Sequence, residues 1–450
     1  MKLKELNERA LEIFKKDIFS SKALLVSFIA IGLIFFLKWF ILIDIYSVNV
    51  LYYDLWDLYG IFFNKYSLTD LYILQHGPHR QGIGFILTSY IDELSGWNTK
   101  WISITIGILT ASSSVIYLII KKKYFDKITL IDVIIIVLIV TPTQYGVFAN
   151  TPNISHGAMP VFLISLFFLA LFIKNFRLKI IMLVLLNFLI IYSAFGLLFG
   201  FISPIILLII LIKNRDNKKA FIDATIGLIS IILSILLFFY NYKHSPANPD
   251  FHFPHDKPLE YLIFIAKMTK SAIGIPKGVG DVLTYLVFIF QLYILTDQFK
   301  LVFRRESKDL NLLIIGLISF SLLFEIATAV GRVSFGTHVA SSSRYVIYVI
   351  PGLIGTYFYF ISRFNLHVFQ IIVIGAFSIY TILNNEYMPT LKRFKESKEK
   401  WVEVYKKTEN IDSANEATAI PIYPGDYTMT RLNWKLNYLK ENKLNLYSED

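Results

Sequence analysis

Two acids, Asp54 and Asp57, follow directly on the first long apolar run of this sequence, and a cluster of imidazoles and a guanidinium, His76-Gly-Pro-His79-Arg80, comes shortly after. Carboxylates at i and i+3 on a helix share one face. Such a face can hold a divalent cation, or one carboxylate can act as a base while the other orients it. The plainer alternative is that both cap and solubilise a helix at a membrane interface. His76, His79 and Arg80 suit a phosphate, which arginine grips with two parallel hydrogen bonds. A histidine pair can also hold a metal, but no third ligand stands nearby in sequence. An ordinary surface turn on Gly77-Pro78 is the remaining reading.

A second polar segment runs from Gly331 to Tyr345 and joins two apolar runs. Arg332 and Arg344 stand at its two ends, with His338 and several hydroxyls between them. A cationic, hydroxyl-rich loop at that depth suits the phosphate of a lipid whose tail stays in the bilayer, against snorkelling arginines as the alternative. Glu325, inside the preceding apolar run, is an intramembrane acid; it either pairs with Arg332 or Arg344 or serves the substrate directly. Asn153, His156, His252 and His255 lie in proline-bearing loops and are weaker candidates for contact with a substrate.

These residues need a scaffold, and the composition says which kind. The chain is 55% hydrophobic and 17% charged, with a mean hydropathy of +0.56. Soluble proteins carry roughly 25% charged residues. Apolar stretches near 22–44, 98–120, 128–148, 157–173, 180–194, 197–212, 221–240, 281–299, 310–330, 345–362 and 367–384 predict an all-α polytopic bundle of about eleven spans. Breaks rich in lysine and arginine (121–123, 174–179, 213–219, 304–305) alternate with breaks that carry the polar candidates. By the positive-inside rule the basic set is cytoplasmic and the candidates face outward. The expected protein is therefore multi-pass in a cell membrane, its N-terminus inside and its C-terminus outside. Topology also accounts for the net charge of +11 better than nucleic acid does. The absence of cysteine excludes disulfides, zinc thiolates and thiol nucleophiles.

The same pattern divides the chain into a membrane module, 1–384, with outer loops at 45–97 and 241–280, and a small extracytoplasmic segment, 385–450. The first loop predicts surface helices over 54–64 and 80–94, and 391–407 is helical in pattern. At roughly 65 residues the C-terminal segment is small for a core of its own, so it is expected to pack on the outer loops. The stretch 180–212 is long for one span and short for two, and two broken helices meeting at the outer surface fit it.

A first span, a long outer loop of surface helices, an acid soon after that span (Asp54, or less readily Asp57) and outward arginines together resemble the GT-C superfamily of integral-membrane glycosyltransferases. That superfamily includes the bacterial aminoarabinose transferases and the protein O-mannosyltransferases. The resemblance covers the span arrangement over most of 1–384; the short C-terminal segment departs from the better-known members. It implies inverting sugar transfer from a polyprenyl-phosphate-linked donor to a glycan or lipid acceptor outside the cytoplasm. A sugar on a lipid phosphate needs a base for the incoming hydroxyl and a cationic clamp for the departing phosphate. Asp54 is the candidate base; Arg80, Arg332 and Arg344, with His79 assisting, are candidates for the clamp. The sequence specifies no cofactor with certainty; a divalent cation bridging Asp54, Asp57 and the phosphate is compatible with it. The rival readings are a transporter or flippase of an anionic lipid-linked saccharide, a surface-polysaccharide polymerase and a non-catalytic membrane scaffold.

Overall fold

The computed structural model describes residues 21–243, 251–274, 279–304, 306, 308–363, 375 and 386–448. Among them the chain is almost wholly helical. The only strands there are a two-residue antiparallel pair, β1 (Gln75–His76) and β2 (His79–Arg80). Eight helical stretches among the described residues are long and apolar enough to cross a membrane: Leu24–Tyr46, Thr99–Phe125, Leu130–Val147, Ala194–Lys213, Lys218–Phe239, Val282–Phe303, Asp309–Phe335 and Ser343–Arg363. The chain is thus a polytopic helical bundle. Of the eleven expected spans, the one at 367–384 lies outside the described residues apart from 375, as does Arg305 of the last basic break.

Following the chain, α1 (Ser21–Tyr46) leads into the first loop, which carries α2 (Gly82–Ser95) and single turns at Leu55–Leu58 and Leu68–Ile73. The helices expected over 54–64 and 80–94 are therefore shorter or start later. Gly82 explains the second difference: its φ of +55° sets the chain turning before the helix begins, a conformation glycine adopts freely. α3 (Thr99–Phe125) starts at Asn98, whose side chain accepts the Lys100 N–H. It packs on α1, and Trp39 donates its indole N–H to the Gly107 carbonyl at 3.3 Å.

The expected fourth and fifth spans are helices of 12 and 16 residues, α4 (Met159–Ala170) and α5 (Phe176–Ile191). At 1.5 Å per residue they reach roughly 18 and 24 Å, short of a hydrocarbon core of roughly 30 Å. α5 breaks at Ser193, passes a tight turn at Ala194–Gly196 and continues through Leu197–Gly200 into α6 (Ser203–Lys213). Lys179, near the start of α5, and Lys213, at the end of α6, line one cavity together with Asp309. Only a hairpin brings those ends together, so 180–212 goes out and returns. Asn187 and Ser203 tie its two arms at 2.6 Å.

The chain continues through α7 (Lys218–Phe239), α8 (Leu259–Ile273), α9 (Val279–Phe303), α10 (Asp309–Arg332) and α11 (Val346–Arg363). α8 occupies most of the described part of the loop expected at 241–280 and packs against the 333–341 segment. Two of the basic breaks find acidic partners: Lys121 meets Asp132 at 2.7 Å and Lys213 meets Asp309 at 3.6 Å. At the end of α11, Arg363 meets Asp297 at 2.7 Å.

At the opposite end the first loop and the C-terminal segment build a second core. Val50, Leu51, Tyr52, Trp56 and Phe85 pack with Trp401, Tyr405, Ile422, Leu436 and Leu446. The segment is ordered by α12 (Met388–Thr408) and shorter helices at Ile411–Glu416 and Leu432–Glu441. Asn445 fastens it to the loop: its Oδ1 accepts the Leu51 N–H, and its carbonyl accepts from Asn49 Nδ2 at 2.7 Å. Neither piece buries its apolar face alone, which is the physical reason they fold together.

Candidate functional site

Where the hairpin turn, the first loop and the 343–348 segment meet, they leave an open cleft. Asp54 enters it from the loop. It sits just before the turn at Leu55–Leu58, whose buried Leu55 and Trp56 hold that turn in the second core. Arg344 enters from the other side and reaches Asp54 at 3.7 Å. Its backbone is positioned by Ser343, whose hydroxyl accepts the Gly146 N–H at 3.0 Å. Gly146 is needed there because any Cβ would clash with that hydroxyl. Both charged side chains are about half exposed, at 50% and 51%. An ion pair so open to solvent is worth at most about 1 kcal/mol, so an anionic ligand can take Arg344 from Asp54 at small cost.

His76, Thr151, Asn153, His156, Phe195 and Tyr348 complete much of the wall. Behind them lies a polar layer. Gln81 is fully buried and bridges Asn153 at 3.3 Å and His156 at 3.1 Å. Tyr348 donates its hydroxyl to the His156 carbonyl at 2.6 Å. The His79 ring stands edge-on to His156 at 5.0 Å and lies 4.2 Å from Phe195 on the hairpin turn. Burial pushes His79 down to about 3, against a backbone bond at Ala194 that favours the proton; Arg332 and His76 lower it further. Burial also drives His156 well below the ordinary histidine range, with His79, His76 and Arg344 adding to it. Both rings are neutral at physiological pH.

Several expected site residues are placed elsewhere. Asp57 is not part of the cleft wall; it accepts a hydrogen bond from Tyr423 of the C-terminal segment at 3.0 Å. Arg80 is turned away from the cleft and spends its guanidinium on three carbonyls: Ile73 at 2.6 Å, Phe238 at 2.9 Å and Tyr240 at 2.8 Å. It pins the β1–β2 hairpin to the end of α7. Arg332 lies over the Phe335 ring at 5.5 Å and is not part of the cleft wall, and His338 is exposed. Glu325 pairs with neither arginine; it is buried and accepts from Thr269 of α8 at 2.6 Å. Among the described residues no group of three His, Cys, Asp or Glu side chains is arranged to hold a metal ion. His252 and His255 stack on each other at 5.4 Å and are absent from the cleft wall.

Three participants escaped the sequence. Gln81 is an uncharged residue beside Arg80, whose charge draws the attention. Phe195 falls in the short apolar break between two expected spans and carries no polar signal. Lys398 lies in a strongly charged helical pattern that predicts solvent, yet it is buried and donates to the Ala149 and Asn150 carbonyls beside the cleft. In comparisons with known protein families, curated proteins and solved structures, nothing matches this chain.

Proposed function

We propose that the chain is an integral-membrane glycosyltransferase, moving a sugar from a polyprenyl-phosphate-linked donor to a glycan or lipid acceptor on the extracytoplasmic face. The observation that carries this reading is the Asp54–Arg344 pair in an open cleft at the end of the bundle opposite the basic breaks. That end is extracytoplasmic by the positive-inside rule. In this reading the acceptor hydroxyl attacks the anomeric carbon and its proton passes to Asp54. The bond from that carbon to the phosphate oxygen breaks, and the departing phosphate keeps the electron pair. Arg344, charged at any relevant pH, holds the negative charge that develops on it. The neutral rings of His79 and His156 do not compete with Asp54 as carriers of charge; they offer hydrogen bonds to oxygen. Arg80 and Asp57 support the scaffold, and Arg332 acts on the cleft only through its field at His79.

Mass spectrometry of envelope glycans from cells with and without the gene tests the reading. It expects one sugar substituent to disappear while the underlying glycan or lipid remains. Loss of whole chains instead would favour a polymerase or flippase.

A further inference from the structure

The hydrogen bonds behind the cleft form a chain with one possible direction. Asn153 Oδ1 faces the backbone N–H groups of Ser155 at 2.9 Å and His156 at 3.2 Å. A backbone N–H can only donate, so that atom of Asn153 is the oxygen and its partner on the same amide is the NH₂. The NH₂ donates to Gln81 at 3.3 Å, which makes the receiving atom of Gln81 its Oε1. The other atom of that amide, Nε2, stands 3.1 Å from His156 Nε2 and has only hydrogens to give. His156 Nε2 must therefore be bare, and the ring proton sits on Nδ1. An imidazolium would set N–H against N–H across that contact.

We propose that Gln81 is a positioning residue that locks His156 as the neutral Nδ1–H tautomer, so that the cleft presents a fixed hydrogen-bond donor to an oxygen of the bound headgroup. The direction is imposed by the backbone at Ser155 and His156, two residues that cannot reverse it. Gln81 itself is held: its carbonyl accepts from the Ser155 hydroxyl, and its side chain is shielded from water. The charged and titratable groups that face His156 are His79, His76, Arg344 and Asp54. The two histidines and the arginine oppose a second proton on the ring. The consequence for chemistry is specific: His156 is a donor, and the task of accepting a proton falls to Asp54. The headgroup contact rests on the proposed function, whereas the tautomer does not.

The test is ¹⁵N NMR of the purified full-length protein labelled at histidine, with the His156 signals identified by their loss in His156→Phe. The expected result is one protonated Nδ1 and one bare Nε2, unchanged between pH 5 and 8. In Gln81→Glu the carboxylate can only accept, so the proton moves to Nε2 or the ring becomes charged. Asn153→Asp, which removes the first donor of the chain, shifts the same equilibrium and serves if Gln81→Glu fails to fold. A wild-type ring protonated at Nε2, a mixture of tautomers or ordinary titration near neutrality overturns the proposal. Decaprenyl phosphate should move the Nδ1 signal if the acceptor is a phosphate oxygen. Movement only with a decaprenyl-phosphate sugar assigns the contact to a sugar hydroxyl. Movement with neither removes the headgroup contact and overturns that half of the proposal. Absence of sugar transfer with the tautomer intact would count against the glycosyltransferase reading alone.

Discussion

Lys398 Nζ and the Asn150 carbonyl stand 2.7 Å apart, and the Ala149 carbonyl receives the same nitrogen at 2.7 Å. This contact fastens α12 to the strip of chain that continues into Thr151 and Asn153, both on the cleft wall. The lysine also lies 4.7 Å over the Tyr52 ring, two residues before Asp54. The C-terminal segment thereby braces both sides of the candidate site.

That brace is sensitive to alkali in a defined direction. Burial pushes Lys398 down to about 7 from its ordinary 10.5. Between these values the unfolded chain holds a proton that the folded chain has released, so stability rises with pH, at most by about 1.4 kcal/mol per pH unit. The neutral amine still has two hydrogens for its two carbonyls. Thermal melts of wild type and Lys398→Met should therefore diverge in favour of wild type from pH 7 to pH 10. A constant gap over that range would mean the lysine stays charged in its buried place.

Arg80 is expected to matter for folding and not for the ligand. A lysine cannot reach Ile73, Phe238 and Tyr240 at once, and a buried carbonyl such as that of Phe238 costs about 1–3 kcal/mol when left unpaired. Arg80→Lys should melt earlier, yet the folded fraction should bind decaprenyl phosphate within about threefold of wild type, a difference below about 1 kcal/mol. A selective loss of binding at unchanged stability would return Arg80 to the clamp.

Arg344 and Arg332 should separate in the opposite sense. A hydrogen bond to a charged group contributes about 1.5–3 kcal/mol, so Arg344→Met should weaken decaprenyl phosphate binding roughly 10- to 100-fold. Arg332→Met, at a side chain that is not part of the cleft wall, should change it less than about threefold. Titration of each purified variant decides between them, and equal losses would place both arginines on the ligand.

The fold class was legible because hydropathy and charge alternate with a period set by the bilayer. Asp54, His76, Asn153, His156 and Arg344 stood out as polar residues on the side away from the basic breaks, and they do meet in one cleft. What the sequence could not convey was direction. Asp57 follows Asp54 by three residues, yet its carboxylate takes a hydrogen bond from Tyr423 and is not part of the cleft wall. Arg80 carries the signal of a phosphate ligand, yet three helix-end and loop carbonyls without partners claimed it first. Lys398 was hidden by its neighbours: Glu396, Glu399 and Lys400 are exposed, so the pattern reads as a solvated helix. Glu325 announced a buried acid, but its partner, the hydroxyl of Thr269, leaves no trace in charge patterning.

The central claim stands on Asp54 as the base. Asp54→Asn keeps the size of the side chain and removes the site for the proton, whereas Asp57→Asn alters a contact with Tyr423 outside the cleft wall. The direct measurement is sugar transfer from a polyprenyl-phosphate-linked donor by purified protein, with folding of each variant checked by thermal melt. The account predicts a fall of roughly 10²-fold or more for Asp54→Asn and near wild-type transfer for Asp57→Asn. Near-normal transfer by a well-folded Asp54→Asn protein would contradict it.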